Sequence, residues 1–464
     1  MKWTFYGAAQ TTTGSRHMLD VNNTRLMVEC GMFQGPRAES TERNSGFPFA
    51  PGAIEAAVVS HAHIDHTGAI PTLVKQGFGG NIYATNGTRD LAAVMLQDSA
   101  HVQRYDAQFV SKKRAKKGLP PVQPIYTEKE AEQAMRQFVG VGYDRPIWIA
   151  DGVQLRFRDA GHILGSAEVF LDVHEGSRKL RIGFSGDIGR GRDPLLRDPT
   201  PMEDLDVLLI ESTYGNREHE PMDHINDRLC AIVSRAIERK GKIIIPAFAV
   251  GRTQHIVYAL HRLTEENCIP KLPIFVDSPL AVNATEIFRL HPECFNLDIY
   301  EQLMARHNPF GMEQLKYIRD VDQSIALNDL KEPCIIISAS GMAEAGRICH
   351  HLRNNIGDER NTIIMVGFCA QHTLGARLIA GEKRVRIFGE EHDVKAQVEV
   401  ISAFSAHADR SELLDFARHA TGPLQHICVV HGEPEQSQAL AVALREMFPR
   451  SQVHVPVIND TVEF

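Results

Sequence analysis

The first 205 residues are dominated by short apolar runs, many of them rich in β-branched side chains, which are separated by glycine turns. Such runs predict β-strands. The predicted strands cover residues 25–31, 56–63, 81–85, 153–162, 167–174 and 179–187. Several of them end directly on a histidine or an acidic residue. One helical stretch interrupts them at residues 127–138, where apolar and alanine positions recur at helical spacing.

From residue 206 to 366 the pattern changes, because strands now alternate with helices. The strands cover residues 206–213, 241–248, 273–279 and 333–340, and the helices cover residues 224–241, 251–267 and 343–355. This alternation predicts a mostly parallel sheet. After residue 366 the short strands return, and a final helix follows at residues 434–448. The sequence therefore predicts an α/β protein in which a domain of residues 206–366 is inserted into a domain formed by residues 1–205 and 367–464.

The composition is that of an ordinary soluble protein: 464 residues, 43% of them apolar and 23% charged. No apolar run approaches the roughly 18 residues that a membrane helix needs, and we expect no signal peptide. The eight cysteines are scattered without a CxxC pair, which favours the cytoplasm and argues against a disulfide framework and a cysteine zinc finger. The formal net charge of −8 does not favour nucleic acid as a partner, but a bound dication or a local basic channel can supply the necessary field.

The strongest chemical signal is at residues 61–66, where His61, His63, Asp65 and His66 follow an apolar run. Alternate residues at the end of an extended strand point to the same side, so His61 and His63 can share one ion. The chain then turns into a helical segment that brings Asp65 and His66 to a second ion. Neutral imidazoles together with a carboxylate suit Zn²⁺. A chance cluster of surface polar residues is the alternative, but four ligand-type side chains in six residues favour a metal site.

Three further ligand candidates follow predicted strands farther along the chain, namely His162, Asp187 and His431. A single histidine after a strand is more often a hydrogen-bonded turn residue. The glycines next to Asp187 and His431 allow close backbone approach, which favours a metal site instead.

The seven candidates together predict a two-metal centre. The first ion would be held by His61, His63 and His162, the second by Asp65, His66 and His431, and Asp187 would bridge them. Two dications about 3.5–4 Å apart stabilise both the attacking and the leaving oxygen of a phosphoryl displacement. Water on such a metal has its pKa lowered toward about 7, so that a bridging hydroxide can act as the nucleophile at neutral pH.

With these motifs the sequence resembles the metallo-β-lactamase superfamily and, within it, the β-CASP nucleases. The matching motifs are HAHIDH (61–66), AGHILGSA (160–167), FSGDIG (184–189), LLIESTYG (208–215), FSAHAD (404–409) and VVHGE (429–433). The similarity extends over essentially the whole chain and is closest to the compact bacterial and archaeal RNA-processing members. It implies an αββα metallo-β-lactamase sandwich with an inserted β-CASP domain, two Zn²⁺ ions, single-stranded RNA as partner and, by analogy with bacterial relatives, a homodimer.

The resemblance also assigns roles to individual residues. His407 would protonate the leaving oxygen as a general acid, Glu211 would hold its tautomer and raise its pKa, and Asp65 would complete the catalytic set. RNA-cleaving members carry a histidine at the position of His431, whereas DNA-repair members usually carry an apolar residue, so the substrate is expected to be RNA. The aspartate that usually precedes Cys-Gly is replaced by Glu29, which is expected to orient a ligand histidine with one extra methylene.

Polar turns follow four predicted strands of the inserted region, at the end where open α/β sheets bind ligands. Helix N-termini with small residues bind phosphate through free N–H groups, and an arginine can add a bidentate contact. The candidate substrate contacts are Ser212, Arg252, Ser278, Ser338, Ser340 and Gly341. Each turn alone fits ordinary strand-to-helix chemistry, but together they favour a track for the RNA backbone facing the metal domain.

Several alternatives stay open. The basic run at residues 112–118 is either an RNA contact or a solvated loop. A hydrolase of small esters, thioesters or lactams would use the same metal centre but would not need the insert. An inactive scaffold subunit would be expected to have lost metal ligands, and none is missing. The favoured function is therefore a zinc-dependent ribonuclease.

Overall fold

A computed structural model of the chain describes residues 1–35, 37–220, 224–367, 369, 372–401 and 404–464. The chain forms two compact units. The first unit consists of Met1–Glu218 and His407–Phe464, and the second consists of His219–Ala406. The second unit is therefore an insertion into the first.

The first unit contains two seven-stranded sheets. The strands of its first sheet are β1 (Lys2–Phe5), β2 (Arg16–Val21), β3 (Thr24–Cys30), β4 (Ala56–Val58), β5 (Asn81–Thr85), β6 (Phe138–Val141) and β22 (Thr461–Glu463). The sheet order is β22-β1-β2-β3-β4-β5-β6. Strands β3 to β6 pair in parallel, so their carboxyl ends lie at one edge of the sheet.

The strands of the second sheet are β7 (Ile147–Ala150), β8 (Val153–Asp159), β9 (Ala167–Glu175), β10 (Arg178–Phe184), β11 (Val207–Glu211), β20 (His426–Val430) and β21 (Gln452–His454). Their order is β21-β20-β11-β10-β9-β8-β7, and β10, β11 and β20 are parallel neighbours. One face of each sheet contributes to a shared buried cluster, with Phe5 and Val28 from the first sheet and Phe157, Leu209 and Val430 from the second. The two sheets therefore form a sandwich.

Helices flank the sandwich. They are α1 (Arg37–Asn44), α2 (Ile64–Thr67), α3 (Ile70–Lys75), α4 (Asn86–Ala115), α5 (Glu128–Met135), α13 (Arg410–Arg418) and α14 (Pro434–Met447). Helix α4 packs against β5 and β6. Leu413 of α13 and Leu444 of α14 join Leu208 and Ile427 in a buried cluster on the outer face of the second sheet. The result is the αββα arrangement that the resemblance implies.

The second unit is built around a six-stranded sheet in which every pair is parallel. Its strands are β12 (Ile243–Pro246), β13 (Ile274–Asp277), β14 (Leu315–Tyr317), β15 (Ile335–Ser338), β16 (Thr362–Val366) and β19 (Gln397–Ile401), in the order β14-β13-β15-β12-β16-β19. The central strands are buried on both faces, which explains their continuous isoleucine runs. Among the described residues, the other α-helices and strands of this unit are α6 (Ile225–Glu238), α7 (Arg252–Glu265), α8 (Pro279–Leu290), α9 (Leu297–Met304), α10 (Val321–Ala326), α11 (Arg347–Asn355), α12 (Leu374–Ile379) and the hairpin β17 (Arg384–Ile387) and β18 (Glu390–Asp393).

The boundaries of the insertion differ from the predicted residues 206 and 366. Strand β11 lies between β10 and β20, so it belongs to the first unit. Strand β19 pairs with β16, so the second unit continues well beyond residue 366. An apolar run predicts a strand but carries no information on which sheet the strand joins.

The 30-residue helix α4 is absent from the predicted elements. Its first half buries residues at helical spacing, including Leu91 and Met95, whereas its second half exposes Val102 and Tyr105, which blurs the periodicity. The interpretation of residues 112–118 as a loop is therefore wrong for residues 112–115, which form the last turn of α4.

One cysteine pair is bonded, although the scattered cysteines argue against a disulfide framework. Cys230 of α6 and Cys268, which follows α7, form a disulfide within the second unit. They are 38 residues apart and belong to no recognisable spacing motif, so no pattern in the chain indicates the pair. The other six cysteines are buried. Among the described helices, none is both long and apolar enough to cross a membrane.

Candidate metal centre

The first four predicted ligands lie at the carboxyl end of β4, in the first unit. His61 and His63 follow the strand, and Asp65 and His66 lie in the single turn of α2. His61 and His66 are fully buried, and the Asp65 side chain is 23% exposed. The strand end and the helix turn thus present four ligand atoms toward one region, as the spacing predicts.

A close backbone approach fixes the position of Asp65. The N–H of Ser15 donates to the carbonyl oxygen of Asp65 at 2.8 Å, and the N–H of Gly31 donates to the carbonyl oxygen of Ser15 at 2.8 Å. A Cβ atom on Gly31 would lie 1.6 Å from the Asp65 carbonyl oxygen. Only glycine fits there, which explains the glycine after β3.

The other three predicted ligands come from the second sheet of the first unit. His162 lies in the loop after β8, Asp187 follows β10, and His431 follows β20. The backbone N–H of His162 donates to Oγ of Ser166 at 2.9 Å, and that of His431 donates to the carbonyl oxygen of Ala8 at 2.7 Å. All three side chains are buried.

His61, His63, His162 and Asp187 form one group of converging ligand atoms. Nδ1 of His63 lies 3.0 Å from Nε2 of His61 and 3.3 Å from Nε2 of His162. Oδ2 of Asp187 lies 3.5 Å from Nε2 of His61 and 3.6 Å from Nε2 of His162. These are separations expected between ligands of a single ion.

Asp65, His66 and His431 form a second group. Nε2 of His66 lies 3.1 Å from Nε2 of His431, and Oδ2 of Asp65 lies 3.6 Å from Nε2 of His431. Asp187 reaches this group as well, since its Oδ2 lies 3.4 Å from Nε2 of His66 and its Oδ1 lies 3.4 Å from Nδ1 of His431. The carboxylate of Asp187 is therefore common to both groups.

Two features of these groups fit bound cations. Oδ1 of Asp187 is buried and has no hydrogen-bond partner among the described residues, a costly arrangement unless a cation is present. Facing imidazole nitrogens at 3.0–3.1 Å, as in His61 with His63 and His66 with His431, can share only one proton per pair, whereas a metal can accept both lone pairs. Histidine nitrogens with carboxylate oxygens suit Zn²⁺.

Protonation states also favour metal binding. Burial lowers the pKa of His63 to about 4, so its imidazole is neutral at pH 7 and keeps a lone pair for a metal. Burial alone would raise the pKa of Asp65, but its hydrogen bond with His431 and the positive charge of nearby imidazolium outweigh burial and hold the pKa at about 2. Asp65 is therefore ionised.

Glu29, near the end of β3, contacts the predicted ligand His66 directly. Its Oε2 is hydrogen-bonded to Nδ1 of His66, and its Oε1 accepts the backbone N–H of Ser60 at 2.6 Å. Glu29 is fully buried, with a φ of +65°. Although glutamate is one methylene longer than the usual aspartate, it contacts a predicted ligand histidine, as the resemblance implies. Its hydrogen bond with Nδ1 leaves Nε2 of His66 facing the cluster.

His407 and Glu211 lie beside this cluster. Oε1 of Glu211, the last residue of β11, is 3.2 Å from Nδ1 of His407. Nδ1 of His407 is 3.9 Å from Oδ2 of Asp187, and its ring centroid is 4.5 Å from that of His162. The Glu211 side chain is fully buried, whereas the His407 side chain is 22% exposed. The imidazole therefore has a buried carboxylate at one nitrogen and partial access to solvent.

Two hydroxyl groups next to the ligands were not predicted. Oγ of Ser60 lies 3.0 Å from Nδ1 of His61, and Oγ1 of Thr213 lies 3.2 Å from Nδ1 of His431. Both orient the ring whose other nitrogen faces the cluster. The sequence signals these two residues only by position: Ser60 precedes the predicted ligand His61, and Thr213 lies in the LLIESTYG motif.

Three predicted substrate contacts have another role in the structure. The hydroxyl of Ser212 donates to the carbonyl oxygen of Val430 at 2.7 Å, and that of Ser338 donates to the carbonyl oxygen of Asp277 at 2.8 Å. Ser278 caps α8 by accepting the backbone N–H of Ala281. All three serines are buried, and each of these hydrogen bonds stabilises a turn.

The other predicted substrate contacts stay predictions. Arg252 begins α7, and Ser340 and Gly341 follow β15, all within the second unit. Arg252 and Ser340 are half-buried and Gly341 is buried. Oγ of Ser340 has no hydrogen-bond partner among the described residues.

Comparison with known families matches the three parts of the chain in order. The profile of the metallo-beta-lactamase superfamily matches residues 18–220, that of the Beta-Casp domain residues 253–378, and that of a Zn-dependent metallo-hydrolase RNA specificity domain residues 391–456. Ribonuclease TTHA0252 of Thermus thermophilus is 33% identical over 444 residues, which are 95% of each chain. The chain belongs to the metallo-β-lactamase superfamily. Within it, the chain is a member of the β-CASP family of metal-dependent nucleases.

Other relatives of this β-CASP protein agree. An RNase J-like protein of Methanocaldococcus jannaschii is 31% identical over 447 residues, covering 95% of this chain and 94% of that one. Transcription termination factor FttA of the same organism is 29% identical and covers 99% of this chain and 71% of its own length. The crystal structure of a protein of unknown function from Enterococcus faecalis V583 has the same fold, with a TM-score of 0.55 at 12% identity over 99% of both chains.

Proposed function

We propose that this protein is a two-zinc ribonuclease that hydrolyses phosphodiester bonds of single-stranded RNA. The observation that carries the proposal is the pair of converging ligand groups that share Asp187, with the Glu211 and His407 side chains beside them. A single carboxylate common to two groups of ligands is the arrangement expected for two ions that act on one substrate.

The first ion would be held by His61, His63 and His162, the second by Asp65, His66 and His431, and Asp187 would contact both. When bound, the two ions supply Lewis acidity toward the phosphoryl oxygens and lower the pKa of coordinated water. The protein's own contribution is to fix the ligand geometry. Glu29 does this for His66, Ser60 for His61 and Thr213 for His431.

His407 is the proposed proton donor to the leaving oxygen. Burial lowers its pKa, but the Glu211 carboxylate and the carboxylates of the cluster outweigh burial and raise the pKa to about 9. His407 therefore holds a proton at neutral pH. Because Nδ1 faces Glu211, Nε2 is the nitrogen that can donate to a substrate. Asp65 stays ionised and can accept a hydrogen bond from the attacking water.

RNA is favoured over DNA and over small esters for two reasons. One matched profile is that of an RNA specificity domain, and it covers His431. One relative is named ribonuclease TTHA0252 and another is named an RNase J-like protein, and both match this chain over nearly their full length. The FttA relatives are longer, so we do not extend the proposal to transcription termination.

The test is to incubate the purified protein with end-labelled single-stranded RNA and with DNA of matched sequence, with and without a zinc chelator. The same assay is run with His407→Ala and with a control, His419→Ala, which removes an exposed histidine of the C-cap of α13. We expect chelator-sensitive cleavage of RNA only. We also expect that His407→Ala reduces the rate by roughly 10²–10⁴-fold, the usual contribution of a general acid, while its zinc content stays at the wild-type level.

Cleavage of neither polymer by a protein that holds its zinc would contradict the proposal and point to a small-molecule hydrolase or a scaffold. Full activity of His407→Ala would leave the ribonuclease in place and eliminate His407 as the proton donor.

A further inference from the structure

The second half of α4 carries a continuous exposed stripe that the proposed mechanism does not use. We call it the aromatic–basic stripe, and it consists of Val102, Tyr105, Phe109 and Lys112 of α4 and of Lys116, the C-cap residue of the helix. Helical spacing places all five on one face, since the backbone of Lys116 is still in the right-handed helical region. Val102 is 54% exposed, Tyr105 56% and Phe109 57%, and both lysines are exposed. Three large apolar side chains in a row on a solvent-facing helix surface indicate a binding surface.

The opposite face of this half of α4 is anchored, so the stripe points away from the first unit. Nε of Arg104 donates to Oε1 of Glu128 at 2.7 Å, and the N–H of Ile125 donates to Oε1 of Gln103 at 3.2 Å. Nε of Arg114 donates to the carbonyl oxygen of Pro120 at 2.8 Å. The following segment of chain therefore covers the inner face of the helix and leaves the stripe open.

Neighbouring cations hold the two aromatic rings in place. The guanidinium of Arg104 lies 5.1 Å from the centroid of the Tyr105 ring, and the His101 ring packs edge-on against it at 4.6 Å. Nζ of Lys113 lies 4.3 Å from the centroid of the Phe109 ring. Rings that are already ordered lose less conformational entropy when a flat partner stacks on them.

The charge of the stripe distinguishes between partners. The chain carries a net charge of −8, yet residues 112–117 contain five basic residues and no acidic one. No ion pair of Lys112 or Lys116 is found within the described part of the chain. A second copy of the same surface would bring like charges together, whereas single-stranded nucleic acid offers bases for the rings and phosphates for the lysines.

Helix α4 links the stripe to the metal centre. Near the start of the helix, the hydroxyls of Thr85 and Thr88 both donate to the carbonyl oxygen of Gly165, at 2.5 and 2.7 Å. Gly165 lies in the same loop as the predicted ligand His162. At about 1.5 Å per residue, Tyr105 is roughly 25 Å along the helix from Thr88. A strand with bases stacked about 3.4 Å apart needs roughly eight nucleotides to span that distance.

We propose that the aromatic–basic stripe of α4 is an accessory binding surface for single-stranded RNA, which holds the substrate at a distance from the bond that is cut. This inference rests on the proposed function, since it takes RNA as the substrate. The rings stack on bases, the lysines contact phosphates, and only an RNA long enough to reach both the metal centre and the stripe benefits.

The test compares two double variants with matched controls. The variants are Tyr105→Ala with Phe109→Ala, and Lys112→Gln with Lys116→Gln. The controls are Trp148→Ala, which removes an aromatic ring 59% exposed on β7, and Lys179→Gln, which removes an exposed lysine on β10. Binding of 5-nucleotide and 30-nucleotide RNAs is measured by fluorescence anisotropy over a range of salt concentrations, in a His407→Ala background that limits cleavage.

We expect the aromatic variant to bind the 30-nucleotide RNA at least about tenfold more weakly, the loss expected from base-stacking positions, with an unchanged salt slope. The lysine variant should reduce the salt slope by about 1.4, because each phosphate contact of a single strand contributes about 0.7. Tyr105→Phe should bind both RNAs as tightly as the His407→Ala protein without further changes. Neither double variant should change the binding of the 5-nucleotide RNA. The control variants should change the binding of neither RNA.

Unchanged binding of the 30-nucleotide RNA by both double variants would overturn the proposal. An equal loss of affinity for the 5-nucleotide and 30-nucleotide RNAs would also overturn it, because it would indicate damage to the metal centre. Sedimentation of the same variants checks self-association. If the aromatic variant turns a dimer into a monomer while RNA binding is unchanged, the stripe is a contact between copies and the proposal fails. A third outcome separates the two proposals: the wild-type protein cleaves no RNA, yet the stripe variants weaken RNA binding. That outcome would refute the proposed function and leave the stripe as an RNA-binding surface.

Discussion

Glu211 holds the imidazole of His407, with Oε1 of the glutamate 3.2 Å from Nδ1 of the histidine. The same oxygen accepts the backbone N–H of Ile188 at 2.7 Å, and Oε2 accepts the N–H of Thr213 at 3.2 Å. The carboxylate is therefore fixed by the backbone and fully buried, so its position does not depend on His407. A rigid negative charge beside the ring favours the protonated state of the histidine.

Glu211→Gln removes this charge with little change of shape. Burial lowers the pKa of His407 and Glu211 raises it, so the variant should have a lower pKa at His407. A general acid works only while it is protonated, so the decline of activity at high pH should move to lower pH. We expect kcat near pH 8 to fall by roughly 10–100-fold, part of the full contribution of a general acid. A pH–rate profile under single-turnover conditions measures this effect.

The control for Glu211→Gln is Glu132→Gln, which neutralises an exposed glutamate of α5. Identical pH profiles for the wild-type protein and Glu211→Gln would show that Glu211 does not tune His407. Zinc content is measured for both variants, because a loss of metal would lower activity without shifting the profile.

Glu29 offers a second prediction, about metal affinity. Its two oxygens contact Nδ1 of His66 and the N–H of Ser60, so the shorter side chain of an aspartate at this position cannot keep both contacts without a shift of β3. We expect Glu29→Asp and Glu29→Gln to weaken zinc binding by roughly 10–100-fold, the usual effect of losing a residue that orients a ligand. Competition with a chromophoric chelator measures the affinity. Tighter zinc binding by Glu29→Asp than by the wild-type protein would show that the glutamate weakens the site.

A third prediction concerns the number of ions. His162 belongs only to the first ligand group and His431 only to the second, whereas Asp187 reaches both. We expect His162→Ala and His431→Ala each to retain one zinc ion of the two, and Asp187→Asn to weaken both sites. Elemental analysis after dialysis against metal-free buffer gives the counts. Full loss of metal from either histidine variant would indicate a single cooperative site.

The convergence of the predicted ligands could be anticipated from the sequence because its signals are local. Alternate residues of an extended segment point to the same side, so His61 and His63 after β4 are expected to lie together. Residues that follow parallel strands lie at the carboxyl edge of the sheet, as Asp187 does after β10 and His431 after β20. The inserted unit could be recognised because buried parallel strands have continuous apolar runs.

The remaining features depend on tertiary contacts that leave no pattern in the sequence. The serine turns at Ser278 and Ser338 use the same residues for capping as for phosphate binding, and only their buried hydroxyls distinguish the two roles. The second half of α4 has few apolar residues, and the spaced ones, Val102, Tyr105 and Phe109, are exposed, so they do not mark a core-facing helix. The disulfide between Cys230 and Cys268 depends on the packing of α6 and α7.

The last prediction concerns a buried acidic pair away from the ligand set. Glu168 on β9 is fully buried, and neither of its carboxylate oxygens has a hydrogen-bond partner among the described residues. Asp159 ends the neighbouring strand β8 and is also buried. Burial raises the pKa of Glu168 well above its usual value, and Asp159 raises it further. Burial likewise raises the pKa of Asp159 to about 7.

A carboxyl group with a raised pKa in the folded state stays protonated there while the unfolded chain loses its proton. For Asp159 the free energy of unfolding therefore falls as the pH rises from about 4 to about 7, and for Glu168 the fall continues to higher pH. Gln cannot ionise, so Glu168→Gln should stabilise the protein more at pH 8 than at pH 5. Each kcal/mol corresponds to about 2–4 °C in Tm for a domain of this size, which scanning calorimetry resolves.

Two comparison variants make this stability test specific. Asp159→Asn should also raise Tm, but its gain should level off near pH 7, where the Asp159 carboxyl ionises in the folded state as well. Glu132→Gln changes an exposed carboxyl and should give no gain that grows with pH. A Tm difference between Glu168→Gln and the wild-type protein that stays constant from pH 5 to pH 8 would mean that the buried Glu168 is ionised in the folded state. A buried charge of that kind would need a cation beside it, which calorimetry with and without chelator would reveal.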